Sequence, residues 1–244
     1  INRKKILILG KKYKKFPIYD LPAYTAFTIY TNVAVIFFNK FFDSSIAGFY
    51  FLASRLIQVP VTLFSKSFSD VFYQKISQET SNEVISKELN YYSLKIAKLA
   101  IVPFLIIVYS SNLYVEFIFG QEWKDLYKYI VLLSIPSLFK LIFSPYTHVL
   151  KIINKQEVSA YLHLTRLLLT SVFFISYLYE DYNLISFIFI YTLMDAILHL
   201  FLVFWVNLII ENNKKFMIIF NITIFTLILS FVNIGVLNGW EWLR

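Results

Sequence analysis

AGFYFLASRLIQVPVTLFSKSFSDVFYQKIS, residues 47–77, is the stretch whose reading decides the fold of this chain. Its first twenty residues are apolar enough to cross a bilayer, which takes about 20 residues at 1.5 Å rise each. Arg55 nevertheless sits near the middle of that span, and Pro60 follows it by about a turn and a half. Arg55, Gln58, Thr62, Ser65 and Ser69 recur at helical spacing, so one polar stripe runs down an otherwise apolar helix. A guanidinium at that depth costs at least ~2.5 kcal/mol, and it is therefore expected to face protein or a water-filled cavity rather than lipid. Two readings of Arg55 stand side by side here. It pairs with a neighbouring helix for assembly, or it lines a pathway for something anionic.

Working outward, the composition is that of a polytopic membrane protein. Hydrophobic residues make up 58% of the 244 and charged residues 16%, against about a quarter charged in a soluble domain; the mean hydropathy is +0.64. The net charge of +8 is not a nucleic-acid signature, because the basic residues cluster between apolar segments, where an anionic leaflet accounts for them. There is no cysteine, hence no disulfide framework, thiol nucleophile or cysteine metal site. The sequence begins at Ile1 rather than methionine, and the residues that follow it read as a basic loop rather than a signal peptide. It is expected to be the later part of something longer.

Apolar segments place seven spans at about residues 19–42, 46–66, 91–111, 126–150, 158–179, 184–210 and 216–237. Residues 1–18 read as a basic loop, 19–210 as a transmembrane lobe of about six helices, and 211–244 as a further span with a short tail. The longest polar stretch, residues 67–90, continues the second span to about Gln78. Thr80 and Glu83 there stand at capping-box spacing, which predicts a short helix at the membrane surface. Of the 23 basic residues, sixteen fall in loops of one parity and four in the alternate loops, leaving Arg55, Lys140 and Arg166 inside spans. The positive-inside rule then puts the start of the chain in the cytoplasm.

Further polar stripes lie within the spans. Asp20, Tyr24, Thr28 and Asn32 fall four residues apart in the first. Lys140, Ser144 and His148 do so in the fourth, which also carries Pro136 and Pro145. The fifth offers Ser159, His163, Arg166 and Thr170, and the sixth Tyr191, Asp195 and His199. A membrane helix with one polar stripe hides it against protein or water, and several together predict a shared hydrated cavity. Arg55, Gln58, Lys140, Arg166 and Asp20 are the candidates for lining it, with snorkelling as the other reading of Arg166 and a helix-start role as that of Asp20. Asp195 with His199 is the candidate for ion coupling, a carboxylate one turn from a group that titrates near neutrality. The competing reading is a structural Asp–Arg or Asp–Lys pair with His199 as spectator. No metal site and no catalytic constellation is apparent, and no cofactor is expected beyond a coupling H+ or Na+.

Three blocks carry a family resemblance. FPIYDLPAY at residues 16–24 is similar to a YPLYxLP opening. GFYFLASRLIQVP at 48–60 with SFSDVFYQKIS at 67–77 is similar to GYYALAxRLLxLP…S…VFYQ. FGQEWKDLYKYI at 119–130 with SPYTHVLKIINKQ at 144–156 is similar to FGxxW and SP…L…L.KQ blocks. Together they resemble the polysaccharide biosynthesis, or Wzx-type oligosaccharide flippase, family of the MOP (multidrug/oligosaccharidyl-lipid/polysaccharide exporter) superfamily. The resemblance implies an all-α, two-lobed transporter of which this chain is the second lobe, with the N-terminal lobe missing. It implies a bacterial inner-membrane protein that flips undecaprenyl-pyrophosphate-linked oligosaccharide for O-antigen, capsule or exopolysaccharide assembly, with Arg55 facing the cavity. Membrane lipid and other glycan-assembly proteins would be its neighbours. The seventh span departs from a six-helix second lobe.

Two rival classes remain open from the sequence. A MATE-type exporter of small cations would favour carboxylates in the cavity, whereas the charges inside these spans are mostly basic. A polymerase-type enzyme of the same pathway would need a substantial outward loop, and the longest here is about residues 111–125. A non-catalysing membrane subunit is the third alternative, and the number of polar stripes weighs against it.

Overall fold

The computed structural model describes residue 9 and residues 13–79, 81–179 and 183–211. Most of the basic segment 1–18 and the seventh span expected at 216–237 lie outside these residues. Helix is the only regular structure among those described. A turn of π-helix, Phe16–Asp20, runs into α1 (Leu21–Phe41), followed by α2 (Ser44–Ile76), α3 (Asn82–Phe119), α4 (Leu126–Ile142), α5 (Ser144–Ile152), α6 (Gln156–Ser176) and α7 (Leu184–Ile209). Among the described residues, six segments are long and apolar enough to cross a membrane, α4 and α5 together forming one of them. This is an all-helical, multi-pass membrane protein.

Local chemistry sets the ends of these helices. Asp43 is the N-cap of α2 and its Oδ1 accepts from the Ser45 N–H at 3.2 Å, satisfying one of the free donors of the first turn. That hydrogen bond holds the Asp43 carboxyl below its usual pKa. Asn183 caps α7 likewise, accepting from the Ile185 N–H at 2.9 Å. Gly120 closes α3 at φ +87°, a backbone state that glycine enters without steric cost.

The fourth span is two helices rather than the single one expected at 126–150. The break falls at Phe143, two residues before Pro145. Proline has no N–H for the carbonyl four residues back. The Ser144 hydroxyl donates to that carbonyl, of Leu141, at 2.9 Å.

The connection 67–90 also differs from expectation. There is no separate surface helix, because α2 continues to Ile76 and α3 starts at Asn82, with Ser81 as an N-cap that makes no side-chain hydrogen bond. Thr80 itself lies outside the described residues. The reason is an apolar seam hidden in a polar-looking stretch, in which Phe72, Ile76, Ile85 and Leu89 are all fully buried together. An ion pair, Lys75 Nζ to Glu88 Oε2 at 2.7 Å, spans the same hairpin. The 33 residues of α2 make about 50 Å of helix against a hydrocarbon core of about 30 Å, so this hairpin stands clear of the bilayer.

In the bundle, α4 is the central element, buried without interruption from Ile130 to Pro136 and packed on α2, α3 and α7. α1 lies against α6 and α2. The same end of the bundle is tied by Lys15, whose Nζ donates to the Asn154 carbonyl at 2.8 Å and stands 3.3 Å from Glu157. Asn154 turns the chain between α5 and α6 at φ +55°, a left-handed state that asparagine tolerates better than most residues. Apolar side chains form two main clusters. One centres on Phe37, Phe38, Phe174 and Phe187, the other on Phe72, Phe139, Phe143 and Tyr146.

Candidate functional site

A polar seam separates the two clusters. Along α7, Phe187, Ile188 and Tyr191 belong to the first cluster, and Ala196, Leu202 and Val203 to the second. Asp195 and His199 fall between them, four residues apart and so on one face. Arg166 reaches the same level from α6. Its Nε lies 3.2 Å from Asp195 Oδ1, its Nη2 lies 3.1 Å from His199 Nδ1, and its guanidinium carbon sits 5.3 Å from the centre of the Tyr30 ring. Arg166, Asp195 and His199 are 8%, 9% and 7% exposed, so this is a buried ion pair supported by an imidazole and an aromatic face. The pairing is electrostatic, since no donor is aligned to hydrogen-bond Asp195 Oδ1.

His199 Nδ1 also lies 2.8 Å from the backbone carbonyl of Asp195. A neutral ring nitrogen either donates or accepts. Donation to the carbonyl and acceptance from Arg166 therefore exclude one another, and the imidazole tautomer decides which contact is a hydrogen bond.

Two cavities open on the seam. The smaller, of about 50 Å³, is walled by Tyr30, Tyr50 and Tyr191 with Ser54, Gln58 and Asp195. The larger, of about 450 Å³, is lined by Thr62, Ser65 and Ser69 of α2 and by all three histidines of the chain, His148, His163 and His199. Both are bordered by Phe27, Lys140, Arg166 and His199. Lys140 stands at this junction with its Nζ 5.3 Å above the Phe27 ring. That ring also makes a T-shaped contact with the His163 imidazole, centroids 5.5 Å apart. Lys140 forms no ion pair among the described residues. With Lys66 and Arg166 set against Asp70 and Asp195, the lining carries an excess of positive charge.

The structure brings together Gln58, Lys140, Arg166, Asp195 and His199 of the residues singled out in the sequence. Arg55 and Asp20 line neither cavity. Arg55 lies on the outer face of α2, its guanidinium 5.1 Å above the Phe51 ring of its own helix. Asp20 ends the π-helical turn ahead of α1 and makes no side-chain cap. Tyr24, Thr28 and Asn32 form an exposed face of α1, with Tyr24 72% exposed. Thr28 and Asn32 donate back to carbonyls of their own helix. The aromatic wall of Phe27, Tyr30 and Tyr50 was not anticipated, because aromatic residues at helical spacing read as core. No group of three or more His, Cys, Asp or Glu among the described residues is placed to hold a metal ion.

Residues 10–128 match the model of a family described as polysaccharide biosynthesis protein. That stretch, just under half of the chain, is similar to the polysaccharide biosynthesis protein family. No curated protein and no solved structure matches the chain. The family match runs from the approach to α1 into the start of α4. It includes the α2 face with Gln58, Ser65 and Ser69, and ends before Lys140, Arg166, Asp195 and His199.

Proposed function

We propose that this chain is one lobe of a transporter that flips an anionic, lipid-linked oligosaccharide across the bacterial cytoplasmic membrane. The cargo is an undecaprenyl-pyrophosphate-linked repeat unit destined for O-antigen, capsule or exopolysaccharide, and the motion is alternating access between this lobe and an N-terminal partner lobe. The family match over residues 10–128 supports a role in glycan assembly. The observation that carries the finer reading is Lys140. It is a cation at the junction of two internal cavities, ion-paired with no carboxylate among the described residues, while the nearby carboxylate Asp195 is already paired with Arg166.

A pyrophosphate linker is at least dianionic, and an ammonium in a water-poor cleft engages it through charge-assisted hydrogen bonds. The polyprenyl tail stays in lipid. No bond is made or broken, so the cavity has to bind and release rather than catalyse. An exporter of organic cations would need the Asp195 carboxylate free, and Arg166 occupies it. Ion coupling, by H+ or Na+, is placed by this proposal at Asp195 and His199.

The test is Lys140→Met in the host that carries the protein, reading surface glycan per unit of protein in the membrane. Losing a charge-assisted hydrogen bond predicts a fall of about tenfold or more, with Lys140→Arg retaining most of the delivery. Full delivery by Lys140→Met overturns the proposal.

A further inference from the structure

We infer that the outer face of α3 is a docking site for an anionic phospholipid of the bilayer, its headgroup held by Lys95 and Lys98 beside Tyr91. The site lies outside both cavities and does not depend on what those cavities carry.

The register of α3 sets the level of these residues. Leu99–Val115 carries no charge, and Lys98 and Glu116 close that stretch at its two ends. It measures about 26 Å at 1.5 Å per residue, close to a hydrocarbon core of about 30 Å. Lys98 and Lys95, three residues apart, therefore stand in the headgroup layer on the side of the α2–α3 hairpin, with Tyr91 about one turn further out. All three share an exposed face of α3, which Val102 and Ile106, each 60% exposed, continue into the membrane. From Lys95 to Val102 this face passes from ammonium to bare hydrocarbon within about two turns. A phospholipid passes from headgroup to acyl chain in the same order.

These two lysines are also uncommitted. On the same hairpin Lys75 is taken by Glu88 at 2.7 Å, and Lys66 lines the larger cavity. Lys95 and Lys98 form no ion pair among the described residues. The other carboxylate on this part of α3, Glu83, lies about three turns further from the membrane than Lys95. Lys95 Nζ stands 5.8 Å from the centre of the Tyr91 ring. Tyr91 in turn meets Tyr92 with ring centres 5.5 Å apart, and Tyr92 meets the buried Phe72 at 5.6 Å. The phenol is thereby anchored to the apolar seam of the hairpin.

The chemistry of the ligand follows. Ammonium groups offer only donors and a tyrosine hydroxyl offers one more, which suits the oxygens of a phosphodiester. A zwitterionic headgroup brings its own cation to the lysines and gains little from them. Each lysine close to an anionic membrane surface is worth about fivefold in association.

The chain has no cysteine, so a fluorophore on Val102→Cys reports this face alone. The experiment places the labelled full chain in phosphatidylcholine nanodiscs. It compares quenching by equal minor fractions of phosphatidylglycerol and phosphatidylcholine, each brominated in its acyl chains. Phosphatidylglycerol should associate about tenfold better or more at this face. Lys95→Gln/Lys98→Gln should bring the ratio close to one and leave quenching by phosphatidylcholine unchanged, which reports that the exposed substitutions keep the fold. A label on Leu168→Cys, a site 66% exposed on α6, a helix without lysine, should show no preference. Equal quenching by the two lipids at Val102→Cys overturns the inference. So does a preference that survives the double variant, or one equally strong at Leu168→Cys, which would report the bilayer as a whole.

Discussion

Arg166 Nη2 stands 3.1 Å from His199 Nδ1, and that one nitrogen is also 2.8 Å from the carbonyl of Asp195. With the hydrogen on Nε2, Nδ1 accepts from the guanidinium. With the hydrogen on Nδ1, the ring donates to the carbonyl and Arg166 loses its acceptor. Protonation enforces the second arrangement and sets two cations side by side, with Asp195, Tyr30, Tyr50, Tyr191 and Lys140 as the other titratable groups around the smaller cavity and Lys66, Asp70, His148 and His163 around the larger. The ion pair between Arg166 and Asp195 is thus coupled to the state of the imidazole.

This coupling is directly visible. The chain has three histidines, so a sample labelled with 15N at histidine alone gives three ring systems to assign. Arg166→Met should change the tautomer balance of His199 and leave His148 unchanged. A His199 signal unmoved by that substitution would mean that Arg166 exerts no hold on the ring.

The Arg166–Asp195 pair should behave as a buried pair in stability measurements. Removing one partner leaves an uncompensated charge and is expected to cost about 3–5 kcal/mol. Arg166→Met and Asp195→Leu should each lower resistance to unfolding in detergent by that order. The double variant should recover most of the loss, because the desolvation of both ions disappears with them. Additive losses in the double variant would show that the two side chains act independently.

Coupling to an ion gradient is a separate prediction. Glycan delivery by the natural chain should fall when the proton gradient is collapsed at constant sodium. Asp195→Asn should deliver less per molecule in the membrane and be indifferent to the collapse. Dependence on sodium in place of protons would identify the other ion. Delivery by Asp195→Asn equal to that of the natural chain would remove the carboxylate from coupling altogether.

Arg55 separates assembly from transport. It forms no ion pair among the described residues and lies on the outer face of α2, so Arg55→Ala should alter stability by no more than about 0.5 kcal/mol. A guanidinium in mid-span does not face lipid cheaply, so the function proposed above sets Arg55 against the partner lobe. Delivery should therefore fall while the amount of protein in the membrane holds. Normal delivery would make Arg55 a packing residue.

Periodicity placed the polar stripes well and their phase less well. Gln58, Thr62, Ser65 and Ser69 do share one cavity-facing side of α2. Gln58 is four residues after Ser54 and three after Arg55, and both spacings are helical, so the sequence offered two ways to extend the stripe. The fold takes Ser54, which is buried at the smaller cavity, and turns Arg55 outward. Lys140, Arg166, Asp195 and His199 stood out because charge inside an apolar span is costly. That Arg166 rather than Lys140 takes Asp195 depends on how α6 meets α7, which no local pattern encodes. The hairpin of α2 and α3 was hidden for a different reason, since Phe72, Ile76, Ile85 and Leu89 are too few among lysines, serines and glutamates to raise the local hydropathy.

The tie between Lys15 and the turn at Asn154 has a consequence for biosynthesis. Its partners lie 139 and 142 residues further along the chain, and α1 packs on α6 as well as on its neighbour α2. During translation α1 waits, with the flank that meets α6 uncovered, until four more spans have been made. A membrane chaperone or the insertion machinery itself has to shelter that flank in the interval. Weakening Lys15 would then show first as slower maturation of newly made chains, before any change in the finished protein.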